Sequence, residues 1–416
     1  MKFATCFNSR DSSRSSNGDI NWGILRSSCL IRFIYSGIPM QTCTTAFGPL
    51  ELERYPVTEN PTLQAFDTAD VYLLQTLADQ PASDLPVLVI NDHFGTLACA
   101  LAKADPALKP HSWSDSELAR LALEANLANN QLAPDAVVFI DSQQAPKGPY
   151  RQVLIRVPKS LALMEDQLSR LREHLAEDAT VIAGAMLKHL PHAAGDLLAK
   201  HIGPYQASLA WKKARLLTAT FDTNLTPVSV DLTTEYSLPG ASVELTNLPG
   251  VFSRDKLDNG TRLLLESLPT AVGDQRIVDL GCGNGALGIK AAQLNPEAQL
   301  VFIDESHAAV ASARLNFARA FPERQAEFLV SDGLKDMPPS SVKLVLCNPP
   351  FHQQQAVGDE AAKRLFTQSS EALDDEGSLM VVGNRHLGYH VKLRANFDKV
   401  EQLAANPKFV VLKASQ

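Results

Sequence analysis

Paired cysteines are missing from this chain. Its six, Cys6, Cys29, Cys43, Cys99, Cys282 and Cys347, form no C-x-x-C pair and gather no histidines around them. That spacing argues against a zinc site and against a disulfide framework, so no metal is expected and a reducing cytoplasm is the natural compartment. Long apolar runs are also absent. Nothing approaches the roughly 18 to 20 residues that a membrane-spanning helix requires, and the mean hydropathy is slightly negative at -0.07, so a soluble protein with no membrane partner is expected. Positive charge is in deficit: the formal net charge is -8 and the sequence pI about 5.7. Bulk electrostatics therefore do not draw the molecule to a polyanion, and any nucleic-acid contact must come from a local patch.

Hydrophobic residues are plentiful, at 45% of 416 residues against 20% charged. That is ample for a packed core and too long for one ordinary domain, so two domains are expected. The first 39 residues differ from the rest. They open with the Ser-rich "NSRDSSRSSNGD" and continue with an apolar stretch broken by Arg26 and Arg32, without a secretory cleavage site; residues 1–39 read as a disordered or mis-started extension ahead of Met40.

From Ile277 the chain runs "IVDLGCGNGALGIKAAQL", a short apolar strand followed by Asp279, glycines at 281, 283 and 285, and a helical pattern. Glycines there let the backbone turn from strand into helix and approach a ligand closely, while the helix N-terminus offers free N–H groups. The next strand, "QLVFIDES", ends in Asp304, about 20 residues on, where a carboxylate takes both hydroxyls of a ribose. A third strand, "AEFLVSDG", ends in Asp332, which alone would also suit a turn. A fourth, "VKLVLCNPPF", ends in Asn348, Pro349, Pro350 and Phe351, with His352 next. Strands alternating with helices predict a parallel, doubly wound sheet whose ligands lie beyond the carboxyl ends of its strands. A dinucleotide-dependent dehydrogenase is the competing reading, but the spacing is G-x-G-x-G rather than G-x-G-x-x-G, and a dehydrogenase gives Asn-Pro-Pro-Phe no purpose.

The first half echoes this plan with its chemistry removed. "VLVINDHFGTLACAL" aligns with "IVDLGCGNGALGIKA" at an offset of 190, pairing Gly95 with Gly285 but putting Val89, Asn91 and His93 where Asp279, Gly281 and Gly283 stand. At the same offset Ser114 replaces Asp304 and Asn126 matches Asn316, and further on Val157-Pro158-Lys159 replaces Asn348-Pro349-Pro350. Three echoes in order predict a duplicated α/β domain whose first copy keeps the fold and cannot bind the cofactor. Residues 40–235 would be this degenerate copy and 236–416 the catalytic one, joined by a Thr- and Pro-rich strand-and-turn linker between about 218 and 250. Just before it, Lys212, Lys213 and Arg215 flank Trp211, either as a basic strip with a stacking ring for RNA or as a strand end with solvated lysines.

The combined pattern over 245–416 resembles the class I S-adenosylmethionine-dependent methyltransferases, and the family's N-P-P-[FY] tetrad implies methylation of a nitrogen conjugated to a π-system. On that resemblance Asn348 Oδ1 and the Pro349 carbonyl accept the two hydrogens of the amine, Phe351 stacks on the flat substrate, and His352 is a candidate proton acceptor or a packing residue. Asp304 would then bind the ribose hydroxyls of the cofactor and Asp332 its adenine amine. Gly281, Gly283 and Gly285 would admit its methionine portion, with Asp279 ordering the loop. "LPGVFSRDKLDNGTRLLLESLP", "NPPFHQQ" and "GNRHLGYHVKL" resemble more closely the ribosomal RNA guanine-N2 methyltransferases, in the forms of the large-subunit methyltransferase G family. This resemblance implies transfer to N2 of a guanine in 23S ribosomal RNA by a monomer, with Phe252, Arg254 and Pro350 near the substrate and Lys159, Lys212, Lys213 and Arg215 on the RNA. Methylation of 16S ribosomal RNA, of a glutamine amide in protein, or a non-catalytic RNA scaffold are the alternatives. The glutamine enzymes carry a small helical N-terminal domain, and a scaffold predicts decay of the motif in the second half, where it is intact.

Overall fold

The computed structural model describes residues 40–58, 60, 62–228, 230–350 and 355–416. The expected extension at 1–39 and the candidate residues Phe351 and His352 lie outside the described residues.

The N-terminal half opens with an antiparallel hairpin of β1 (Gln41–Thr45) and β2 (Gly48–Leu52). It continues through β3 (Leu88–Ile90), β4 (His111–Ser114), β5 (Val138–Asp141), β6 (Tyr150–Arg156), β7 (Leu175–Met186), β8 (Tyr205–Ala207) and β9 (Ala214–Thr220). Between them lie helices α1 (Thr68–Ala78), α2 (Thr96–Ala104), α3 (Glu117–Asn129), α4 (Leu161–Leu171) and α5 (Ala193–His201). The C-terminal half repeats this order. A hairpin of β10 (Thr234–Ser237) and β11 (Glu244–Asn247) precedes β12 (Arg276–Leu280), β13 (Gln299–Asp304), β14 (Glu327–Val330), β15 (Val342–Cys347), β16 (Leu373–Asn384), β17 (Lys399–Ala405) and β18 (Phe409–Ser415). Its helices are α6 (Asn259–Leu265), α7 (Ala286–Leu294), α8 (His307–Ala320), α9 (Gln355–Ala372) and α10 (Tyr389–Leu393).

Each half builds one seven-stranded sheet, in the order β5-β4-β3-β6-β7-β9-β8 and β14-β13-β12-β15-β16-β18-β17. These are the same topology position by position, with five parallel strands and an antiparallel pair at one edge. The central strands are apolar almost throughout because helices cover both of their faces: Ile277 and Leu346 belong to one core layer of the C-terminal half, Val278 and Val345 to the other. In both halves the strand order reverses beside the first strand after the hairpin, β3 or β12, which makes the crevice at its carboxyl end the place for a ligand.

The duplication extends to single hydrogen bonds. Gly95 and Gly285 both cap a helix N-terminus in the left-handed region, at φ 74° and 84°. Asn126 Nδ2 donates to the Glu53 and Phe94 carbonyls, while Asn316 Nδ2 donates to those of Thr246 and Asn284. Both buried amides thus tie the hairpin to the loop before the capped helix. The segment 218–250, expected as a strand-and-turn linker, contains β10 and β11, the counterpart of β1 and β2; it is integral to the C-terminal half because Asn316 needs backbone partners there.

Several contacts join the halves. Ser116 and Ser306, equivalent by the repeat, pair as an antiparallel bridge. Ser116 Oγ donates to Glu305 Oε2 at 2.5 Å and Ser306 Oγ to Asp115 Oδ2 at 2.5 Å, so each half supplies a carboxylate to the serine that caps a helix of the other. Elsewhere the Tyr55 hydroxyl donates to Asp332 Oδ2 at 2.9 Å.

Candidate active site

The cleft at the carboxyl end of β12 is lined by Gly281, Gly283, Asn284, Tyr236, Phe252, Asp258, Thr261 and Asn348, among others. Its floor is the glycine loop. A Cβ at Gly281 or Gly283 would meet nothing within 4 Å, whereas one at Gly285 would press on Ala313 at 3.1 Å. The first two glycines therefore keep backbone open to a ligand, and the third lets α7 pack against α8. Gly281 and Cys282 donate their N–H groups to the Ile303 carbonyl, at 2.8 and 2.9 Å, which pins the loop to β13.

Two carboxylates order this loop. Asp279 Oδ2 accepts the Gly288 N–H at 2.7 Å inside α7, while its Oδ1 is buried with no protein partner. Burial pushes its carboxyl up to about 8, against the downward pull of that hydrogen bond and with a further upward push from Asp304. Asp304 Oδ2 accepts the Gly283 N–H at 2.9 Å and Oδ1 that of Ser306 at 3.0 Å. Burial raises its pKa, and these backbone donors oppose the rise. Asn284, not singled out by the sequence, braces the loop from the other side. Its Nδ2 donates to Tyr236 Oη at 2.6 Å and Asn247 Oδ1 at 2.7 Å, and its Oδ1 accepts from Ala286 N.

Asn348 enters at the end of β15. Both hydrogens of its amide are used: Nδ2 donates to Thr261 Oγ1 at 2.9 Å and to Asp258 Oδ2 at 3.2 Å. That consumption fixes which way the amide faces. Its Oδ1 is left buried, without a protein partner, and Asn348 lines the cleft. Asp258 itself is held because it caps α6, accepting the Thr261 N–H at 2.9 Å. These two residues stand in the "LDNGT" of a segment quoted for the resemblance, but neither was singled out; an Asp followed three residues later by Thr at a helix start was the available signal. Pro349 is buried and Pro350 exposed.

The remaining candidates divide. Phe252 lines the cleft. Arg254 is not among the lining residues: its guanidinium donates to the Leu232 carbonyl, and its own carbonyl accepts from Thr234 Oγ1. It fastens the start of the β10 hairpin, a demand made by backbone carbonyls that no side-chain motif announces. Asp332 accepts from Tyr55 and from Arg364. Neither partner was foreseen. Lys159, Lys212 and Lys213 are exposed at the carboxyl rim of the N-terminal sheet, and Lys212 Nζ lies 4.8 Å from the Trp211 ring centre. Arg215 differs from them: it lies half-buried within β9 opposite Ala185. Lys188 and His189, which follow β7, stand on the same rim, and Lys188 and Lys159 both hold the His189 pKa down after burial has lowered it.

In the N-terminal half other groups occupy the equivalent positions. Asn91, at the place of Gly281, is buried in a reciprocal amide pair with Gln167 at 2.8 and 2.9 Å. Arg156 is buried at the end of β6 and pairs with Asp67 at 2.7 Å and Asp70 at 2.9 Å. The helix amide that Asp279 caps has its counterpart in Ala98 N–H, which Asp92 accepts from the loop at 3.0 Å. The capping function survives there and the open backbone does not.

The C-terminal cleft fits S-adenosylmethionine. It is lined by the open backbone of Gly281 and Gly283, by Asp258, and by Asn348, whose buried Oδ1 lacks a protein partner. Among the described residues no three His, Cys, Asp or Glu side chains gather as a metal site, and no helix is long and apolar enough to cross a membrane.

Comparison with known proteins agrees with this geometry. Residues 40–223 match the RLMG N-terminal domain and residues 242–413 the methyltransferase small domain. A solved T. Thermophilus 16S rRNA N2 methyltransferase in complex with AdoMet and guanosine shares the fold at a TM-score of 0.72 and 19% identity, covering 91% of this chain and 98% of its own. The ribosomal RNA large subunit methyltransferase G of Ectopseudomonas mendocina is 55% identical over 378 residues, 91% of this chain and 100% of its own length. Those of Stutzerimonas stutzeri and Pseudomonas putida KT2440 are each 53% identical over 90% of this chain. With identity at that level along both halves, the chain belongs to the ribosomal RNA large subunit methyltransferase G family.

Proposed function

We propose that this chain transfers the methyl group of S-adenosylmethionine to the exocyclic N2 of a guanine in 23S ribosomal RNA. The observation that carries the reading is the unpartnered, buried Oδ1 of Asn348, aimed by Asp258 and Thr261. A guanine N2 is a weak nucleophile, because its lone pair is delocalised into the ring. Accepting one of its hydrogens at Asn348 Oδ1 and the other at the Pro349 carbonyl favours the orientation in which the lone pair faces the methyl donor. The cofactor supplies an already activated methyl, so orientation carries most of the catalysis. Consecutive prolines restrict the backbone that presents the second acceptor. Phe351 stacks on the base from one side, with Phe252 and Pro350 beside it, and His352 receives the proton or packs against the ring. Asp304 takes the ribose hydroxyls, Asp332 the adenine amine, and Gly281 and Gly283 admit the methionine portion, with Gly285 setting the start of α7.

In this reading residues 40–235 supply RNA affinity through Lys159, Lys212 and Lys213, and residues 236–416 carry the catalysis. A ribosomal RNA substrate implies a cytoplasmic protein, which we take to act as a monomer. The names of its relatives favour the large-subunit RNA over the small.

The test is methyl transfer from labelled cofactor to unmodified 23S and 16S ribosomal RNA, followed by nuclease digestion and identification of the labelled nucleoside. N2-methylguanosine from 23S ribosomal RNA is expected. Label in 16S alone, in another base, or in a protein glutamine would overturn the assignment.

A further inference from the structure

Asp332 closes the row of carboxylates at the sheet's carboxyl rim, yet one of the residues that orients it comes from the other half of the chain. The carboxylate is almost buried, at 6% side-chain exposure. Tyr55 Oη donates to its Oδ2 at 2.9 Å, and Arg364 from α9 donates to its Oδ1. A carboxylate oxygen has a second lone-pair site, so both oxygens retain acceptor capacity while their plane is set. Charge-assisted donors of this kind are the stronger class of hydrogen bond and fix geometry as well as supplying energy.

Tyr55 does not reach across on a loose tether. Glu53, two residues earlier, exchanges both backbone hydrogen bonds with the buried Asn126 amide, at 2.8 Å through its N–H and 2.9 Å through its carbonyl. Arg54, one residue earlier, donates to the Gln64 carbonyl at 2.8 Å and sits 4.5 Å from the Phe94 ring centre. The hydroxyl is delivered by a backbone that is anchored on the degenerate loop itself. The Ser116 and Ser306 bridge fastens the halves beside Asp304, the neighbouring carboxylate of the rim.

We propose that Tyr55 is a positioning residue of the adenine subsite: from the half that has lost its own cofactor site, it holds the Asp332 carboxylate in the orientation that accepts the adenine amine. The inference rests on the reading of Asp332 as the adenine acceptor. It gives the degenerate copy a part in cofactor selection in addition to RNA contact.

The experiment is calorimetric titration of the full chain with two probes, S-adenosylhomocysteine and its hypoxanthine analogue, in which the adenine amine is replaced by an oxygen. Both are titrated into the same preparation of each variant, so any loss of folded protein cancels in the ratio of affinities. Asp332→Asn should abolish the preference for adenine over hypoxanthine. Tyr55→Phe, which keeps the ring, should weaken the adenine ligand about tenfold and the hypoxanthine analogue less than about twofold. Equal weakening of both ligands by Tyr55→Phe, or no change in either while Asp332→Asn loses its preference, overturns the positioning role and leaves Asp332 as the adenine acceptor. A preference that persists in Asp332→Asn refutes the reading of Asp332 and the inference with it.

Discussion

Asn348 stood out in the sequence as a candidate because two prolines interrupt an apolar strand directly after it. What makes its amide directional was not legible. Asp258 and Thr261 lie some 90 residues away in the chain, at 3.2 and 2.9 Å in space, and only the fold brings them to Nδ2. The same limit explains Arg254, whose guanidinium serves the Leu232 carbonyl, since backbone acceptors leave no trace in a sequence motif. The glycines were better indicators, although Gly285 serves helix packing and Gly281 and Gly283 face the cleft. If the oriented amide acts mainly in the transition state, Asn348→Ala should lower single-turnover methyl transfer by roughly 10²-fold or more. The Kd for S-adenosylmethionine should meanwhile change by less than about threefold. Rapid quench with labelled cofactor, alongside calorimetry, measures both, and an equal loss in the two would assign Asn348 to cofactor binding instead.

At the scale of elements, the alternation of strands and helices was legible, whereas the helix caps and their partners were not read. Ser116 and Ser306 are ordinary N-cap residues, accepting from Ala119 and Ala309, and such caps contribute about 1 kcal/mol each. The structure adds that each donates its hydroxyl to a carboxylate of the other half. Removing Asp115 and Glu305 from water is unfavourable, and burial raises the pKa of both, Glu305 to about 7. Asp304 and Asp115 add to that rise at Glu305, while Ser116 opposes it. A carboxyl whose folded pKa lies above its unfolded value of about 4.5 holds an extra proton in the folded state between the two values. Stability from this group is therefore full below about pH 4.5 and falls as pH rises toward 7. Glu305→Gln has no such titration. Its melting temperature relative to the parent should rise between pH 5 and pH 8, measured in differential scanning calorimetry without cofactor; a difference that is constant or falls with pH would mean that Glu305 is not held protonated at the junction.

At the scale of the molecule, two copies of one topology diverge through a few side chains. The repeat was visible as an offset of 190 in sequence, and the strand orders reproduce it. The hairpins were less visible, since β10 and β11 fall in a stretch whose Thr and Pro content resembles a linker; tertiary partners such as Asn316 hold them as strands. The junction between halves was not visible at all, because a reciprocal contact of equivalent residues shows only after both copies are folded. We propose that the copy with Asn91 and Gln167 in place of open glycine backbone supports the site of the other copy without having one of its own. Isothermal titration of the full chain with S-adenosylmethionine measures this directly. One molecule should bind per chain, and binding should disappear in Asp304→Ala, which removes the acceptor of the Gly283 and Ser306 N–H groups. A stoichiometry near two, or one site that survives Asp304→Ala, would contradict it.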